Sequence, residues 1–160
     1  MPLLMKIPGV TSEGTIDQHV GWLDLVGFRW GGTRNARSKA VGSHQTDTRA
    51  YPPQLTGATV RRLGDAQSAP IWQLMVGRTE IPKITLDWLR TGQGKPVCYF
   101  SIEFAGVRIA SITEAATGAH PIETIEFNYR NVTLGVRDVG NSLTGAQDIV
   151  TYAVPQHAGG

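Results

Sequence analysis

From Ile125 to Val136 the large apolar residues keep a spacing of two but change phase part-way: Ile125, Phe127 and Tyr129 share one parity, Val132, Leu134 and Val136 the other. Successive side chains of a β-strand point to opposite faces, so this spacing marks a strand with one face against a core. A change of phase needs one extra residue, and it predicts a β-bulge near Arg130-Asn131. A strand that bends in this way suits a curved, barrel-like wall.

The same period recurs upstream. Trp22, Val26, Phe28 and Trp30 fall on one face of a predicted strand, with Asp24 among them, and Leu23, Leu25, Gly27 and Arg29 on the other. Neither face is wholly polar, so both are expected to be covered. Ile84, Leu86 and Trp88 alternate against Thr85, Asp87 and Leu89, and Cys98, Phe100, Ile102 and Phe104 form the next apolar face. At Gly106 the pattern can bend or bulge before Val107 to Ile112 continues it.

One helix is expected after Asp65. Ser68 can cap it, Pro70 suits its first turn and Gly77 can close it in the left-handed conformation. Ile71, Leu74 and Met75 then line one face with Trp72 beside them. About two turns of helix do not persist alone in water, so this one must dock on the sheets, closing an open barrel end.

Residues 32–53 differ from the rest: apart from Val41 and Tyr51 they hold no large apolar side chain and are rich in Arg, Ser, Thr, Gly and Ala. A stretch of this length and composition reads as a projecting arm. The chain is thus one β-rich domain over 1–155 carrying that arm, with a flexible tail at 156–160. Its 160 residues, 41% of them hydrophobic, suffice for one core. Its 19 glycines and 9 prolines favour many short elements.

The single cysteine, Cys98, has no second thiol to pair with, which favours synthesis in a reducing cytosol. No signal peptide is recognisable in Met1 to Lys6, and no run approaches the roughly 20 apolar residues that span a bilayer. The net charge is only +2, yet seven basic residues from Arg29 to Arg62 face one acid, Asp47, while five acids after Ala110 face Arg130 and Arg137. Such asymmetry fits nucleic-acid binding or a subunit that meets its own copies head to tail. The basic arm has only Tyr51 for base stacking and no nucleic-acid motif, which argues against the former.

Catalytic chemistry finds no foothold. His19, His44, His120 and His157 lie far apart with no zinc-type spacing, and each reads as a surface or turn residue. Cys98 shares a face with Phe100 and reads as a buried, inert thiol. There is no nucleophile elbow and no phosphate loop. Glu123 and Glu126 would point to opposite faces of a strand, which does not suit a carboxylate pair. The sequence therefore predicts no enzyme, metal or cofactor.

The block Lys6-Ile7-Pro8-Gly9-Val10, then Gly14, then His19 to Gly31 with its Phe28-Arg29-Trp30-Gly31 ending, resembles the opening of the haemolysin-coregulated protein (Hcp) family of bacterial type VI secretion. Asp65 to Pro70 is similar to that family's entry into its single helix, and Glu123 to Val132 to its closing strand. The likeness spans about Leu3 to Val136. An extra residue between Asp65 and Pro70, Val136 in place of an aromatic and the arginines of Thr33 to Arg49 depart from it.

The resemblance implies a mainly β fold: a β-barrel of two packed antiparallel sheets with one short α-helix, assembled as a hexameric ring. Rings stack into the inner tube of a contractile injection machine, effectors ride in the channel, and the spike and the sheath or baseplate are further partners. Such a protein is made in the bacterial cytoplasm and secreted through its own apparatus, without membrane insertion. Arg29 would occupy the channel-facing position, with Leu25 and Gly27 sharing its orientation as effector contacts. Arg34, Arg37 and Lys39 of the arm would engage acidic residues of the next ring. The competing readings are a tail-tube protein of a phage-like particle and, from another class, a monomeric small-ligand β-barrel.

Overall fold

The computed structural model of the chain describes residues 2–16, 18–34, 53–90, 95–116, 118–137 and 147–153, with Arg137 and 147–153 as backbone alone. In chain order the strands are β1 (Leu3–Lys6), β2 (Leu23–Leu25), β3 (Gly27–Arg29), β4 (Gly32–Thr33), β5 (Gln54–Leu55), β6 (Ala58–Leu63), β7 (Ile81–Arg90), β8 (Val97–Ala115), β9 (Ile122–Asn128), β10 (Asn131–Arg137) and β11 (Gln147–Ala153). Helix α1 (Ser68–Val76) lies between β6 and β7.

All pairings between them are antiparallel. One layer runs β2-β1-β7-β8-β10-β11 and the other β8-β9-β6-β3, so β8 serves both. The layers are continuous along β8 and β9–β10, and among the described residues no pairing joins their far edges. The expected mainly β architecture of two antiparallel sheets and one helix is found; the barrel is not closed.

Alternation explains what lies between the layers. Leu86, Ile102 and Phe104 come from one, Val60, Ile125 and Phe127 from the other, and all are buried. Phe104 is at the centre, with its ring 5.2 Å from that of Phe127, 4.7 Å from Tyr129 and 5.8 Å from Trp30. Burying one such side chain stabilises by about 1.5–3 kcal/mol, and edge-on ring pairs add about 0.5–1.5 kcal/mol.

The phase change near Arg130 is present, but not as an extra residue in one strand. Asn128 lies opposite Arg108 and Asn131 opposite Ala105, so two residues separate each pair on both strands. Both strands bend together where Gly106, at φ +63°, faces Arg130. The apolar parity of β8 flips at the same place, from Ile102 and Phe104 to Val107 and Ile109. A matched bend keeps the ladder intact while turning both strands from one layer into the other. The register shift nearby falls instead between Ile109 and Ser111.

Helix α1 buries Ile71 fully and packs Trp72, Leu74 and Met75 partly against the core. Its ends differ from expectation. Gln67 is the cap residue, with no side-chain cap bond, because the Ser68 hydroxyl accepts from the Asp65 backbone N–H (3.2 Å) while Asp65 Oδ1 accepts the Gln67 N–H (2.8 Å). At the other end Gly77 keeps φ −77°, and Arg78 takes the left-handed turn at φ +52°. Cys98 is half-buried rather than buried, its Sγ 3.4 Å from the Phe100 carbonyl oxygen.

The arm predicted for 32–53 starts and ends in order: β4 and β5 pair as a ribbon at its base. Beneath them the Thr56 N–H donates to the Gly31 carbonyl at 2.8 Å, and the Thr56 hydroxyl lies 3.0 Å from both the N–H and the carbonyl oxygen of Gly31. Residues 35–52 and the tail 154–160 lie outside the described residues.

Candidate functional site

The second layer has one face on the core and one facing solvent. On β6, Ala58, Val60 and Arg62 point inward, which leaves Thr59, Arg61 and Leu63 outward. Register sets the outer rows: Arg29 beside Thr59, then Glu126, then Ser111; and Gly27 beside Arg61, then Thr124, then Thr113. Arg108 stands opposite Asn128 at the edge of the first row. Arg29, Arg61, Arg108 and Glu126 are exposed, and the Ser111 hydroxyl donates weakly to Glu126 Oε2 at 3.4 Å. This is a polar, hydrogen-bonding surface with three guanidinium groups and one carboxylate.

The predicted surface residues separate in this frame. Arg29 is exposed on β3, and Gly27 is half-buried beside it, under the stem of Arg61. Leu25 does not share their orientation: it and Leu23 belong to the core, while Phe28 and Trp30 turn inward from the other parity. The phase breaks at Val26, which is 59% exposed. There the chain leaves its pairing with β1, the Val26 N–H donates to the Arg61 carbonyl at 2.8 Å, and Gly27 begins to pair with β6. Of the arm residues Arg34 is exposed, and Arg37 and Lys39 lie outside the described residues.

Inward of this face lies a charged cluster that sequence reading passed over. Arg62 and Glu123 are paired across β6 and β9, both buried, and the Arg62 guanidinium also meets Asp65 and the Ser68 hydroxyl (3.3 Å). Glu114 stands opposite Glu123 on β8 and accepts the Trp72 indole N–H at 3.0 Å. Burial works against the charge of Arg62, but its contacts with Asp65 and Glu123 outweigh that and hold its pKa above the ordinary value. Burial, and then the contact with Glu114, raises that of Glu123. The signal was available: Glu123 shares parity with Ile125 and Phe127, and Arg62 with Val60.

His19 lies in a turn, one of the two expected settings, and is buried there. Its Nε2 donates to Asp87 Oδ2 at 2.7 Å, and the Ser101 hydroxyl donates to Asp87 Oδ1 at 2.6 Å. A nucleophile needs the imidazole between hydroxyl and carboxylate, whereas here the carboxylate is in the middle. The trio fastens the Gly14–Gly21 turn to β7 and β8; it does not activate Ser101.

Residues 4–135 match the family model described as "Type VI secretion system effector, Hcp". The chain belongs to the Hcp family. As a member it is a type VI secretion protein of the tube and effector kind, the assignment its opening motif suggested.

Solved structures agree in fold. One described as the structure of a type six secretion system protein superposes with a TM-score of 0.81 at 22% identity, covering 96% of this chain and 95% of that one. Hcp1 from Salmonella typhimurium gives 0.74 at 17%, with 95% and 93% covered. A type VI secretion system effector from Yersinia pestis gives 0.72 at 16%, with 95% and 99% covered. No curated protein matches by sequence. No helix among the described residues is long and apolar enough to cross a membrane.

Proposed function

We propose that this Hcp-family chain is a structural tube subunit: six copies close a ring, rings stack into an inner tube, and effectors are carried in the channel. In this reading residues 1–155 act as one domain, with the arm 32–53 reaching the next ring. The protein acts without catalysis or cofactor. It is made in the bacterial cytoplasm and leaves through its own apparatus, where the spike and the sheath or baseplate are its other partners.

The observation that carries the reading is the outer face of β3-β6-β9-β8, a broad polar sheet surface with Arg29 exposed on it. A wall that cargo slides past must be wettable, and this one is. Arg29 and Gly27 are its effector-contact positions. Arg34, Arg37 and Lys39 steer stacking by meeting acidic residues of the neighbouring ring; exposed pairs contribute only about 0–1 kcal/mol each, so repetition around the ring is what makes them count.

Negative-stain images and light scattering test the assembly: toroids of six subunits support it, and a monomer at all concentrations refutes it. Arg29→Gln should then reduce effector retention with the rings intact. Loss of the rings in that variant would refute the division of roles.

A further inference from the structure

We infer that the outer face of β3-β6-β9-β8 is a binding surface for acidic polypeptide, read by Arg29, Arg61 and Arg108 together. The inference rests on the tube reading for where the surface lies, and adds to it the chemistry of the cargo.

Three observations carry it. Arg29, Arg61 and Arg108 are all exposed, and none pairs with an acid among the described residues, whereas Lys83 and Arg130 elsewhere do pair, with Glu103 and Glu80. Among the described residues Glu126 is the one acid on the outward rows of these strands, and Glu13, Asp24 and Asp65 gather beyond the Leu63 end, so the positive charge is concentrated on the rows of Arg29, Arg61 and Arg108. The arginines are also spread across it. Arg61 lies against Gly27, where an added methyl group would sit 3.5 Å from its stem, and this lays the side chain towards β3 and Arg29. Arg108 is three strands away and two residues along, about 16 Å at ordinary strand spacing and rise. An extended acidic segment of about five residues spans that distance.

Between the arginines stand Thr59, Thr124, Ser111 and Thr113, small hydroxyls that can hydrogen-bond a peptide backbone without demanding a sequence. Guanidinium groups bind carboxylates through paired N–H donors. They bind phosphates as well, but a nucleic-acid surface also offers aromatic rings for stacking, and along β3, β6, β9 and the Arg108–Ala115 part of β8 no outward residue is aromatic. Acidic polypeptide is therefore the partner that fits.

The test uses the full-length chain and a fluorescein-labelled peptide of mixed Glu, Asp, Ser and Gly, with a Lys/Arg counterpart, followed by anisotropy. The acidic peptide should bind, the basic one should not, and raising ionic strength should weaken the complex. Arg29→Gln, Arg61→Gln and Arg108→Gln combined should cost about tenfold in affinity, and Glu126→Gln should tighten binding. Lys83→Gln, on the other layer, should change nothing. Unchanged affinity in the triple variant, equal binding of the basic peptide, or preferential binding of a single-stranded oligonucleotide would overturn the inference. Ring formation is scored separately by light scattering: a monomer that still binds the acidic peptide through these arginines refutes the tube and keeps the surface, while rings indifferent to the peptide do the reverse.

Discussion

Arg62 and Glu123 face each other across the β6–β9 ladder at the foot of helix α1, with their side chains 1% and 0% exposed. Nε of Arg62 and Oε1 of Glu123 are buried there without a hydrogen-bond partner. Truncating one member leaves the other's polar group in an apolar setting, so Arg62→Ala or Glu123→Ala should each cost about 3–5 kcal/mol. Replacing both, as Arg62→Met with Glu123→Leu, should recover most of that. Urea unfolding of the three variants decides it, and single losses below about 1 kcal/mol would contradict a buried pair.

Glu123 also sets a pH dependence. Its pKa is raised from the ordinary 4.5 by burial first and by Glu114 next, with Arg62 pulling the other way. The folded state thus holds this proton more tightly than the unfolded chain. Its contribution is complete below the ordinary glutamate range and is lost as pH rises through the raised value. The stability of the natural chain relative to Glu123→Gln should therefore fall as pH increases from about 4.5. Parallel melting curves for the two proteins across that window would contradict this.

Tyr129 anchors the base of the arm to the core: its hydroxyl accepts the Trp30 indole N–H and donates to the Thr56 carbonyl at 2.8 Å. Tyr129→Phe leaves both partners unsatisfied and should cost about 1–3 kcal/mol. Hydrogen exchange should quicken at the amides of Gly31 and Thr56 before it quickens in β8. Uniform acceleration through the domain would mean that the hydroxyl acts only on overall stability.

Gly106→Ala should cost about 1–2 kcal/mol, since φ +63° strains any side chain and the new methyl would meet Arg130 Cγ and Cδ at 2.9 Å. Adding Arg130→Ala should relieve the contact and leave the backbone strain. Full recovery in the double variant, read from thermal melting, would show that the backbone bend is not the cause.

Alternation alone was enough to assign Ile102, Phe104, Ile125 and Phe127 to the core, and the phase change at Arg130 placed the bend between layers. What periodicity does not say is how two strands share a bend: it was read as an insertion in one because only one strand is seen at a time. Leu25 was misassigned for a related reason, since parity holds only within one pairing and Val26 is where partners change. Ser68 lost its capping role because it is the first helical residue, one place after the cap residue Gln67, and its hydroxyl turns back to the Asp65 N–H. Glu123 was weighed only as a partner for Glu126 on the opposite face, and not as a buried group, although its position in the alternation put it inside. Among the site residues Arg29 was legible from its motif. Arg61 and Arg108 were not, because their kinship with it depends on which strands lie side by side.

Since β8 runs for 19 residues through both layers, the angle between them is fixed by covalent backbone and not by side-chain fit alone. A push on the arginine-bearing wall travels along that spine to β7 and β10 without crossing a slip plane. Such a spine supplies stiffness, and the pivot at Gly106 is where a softer or a more rigid variant would be made.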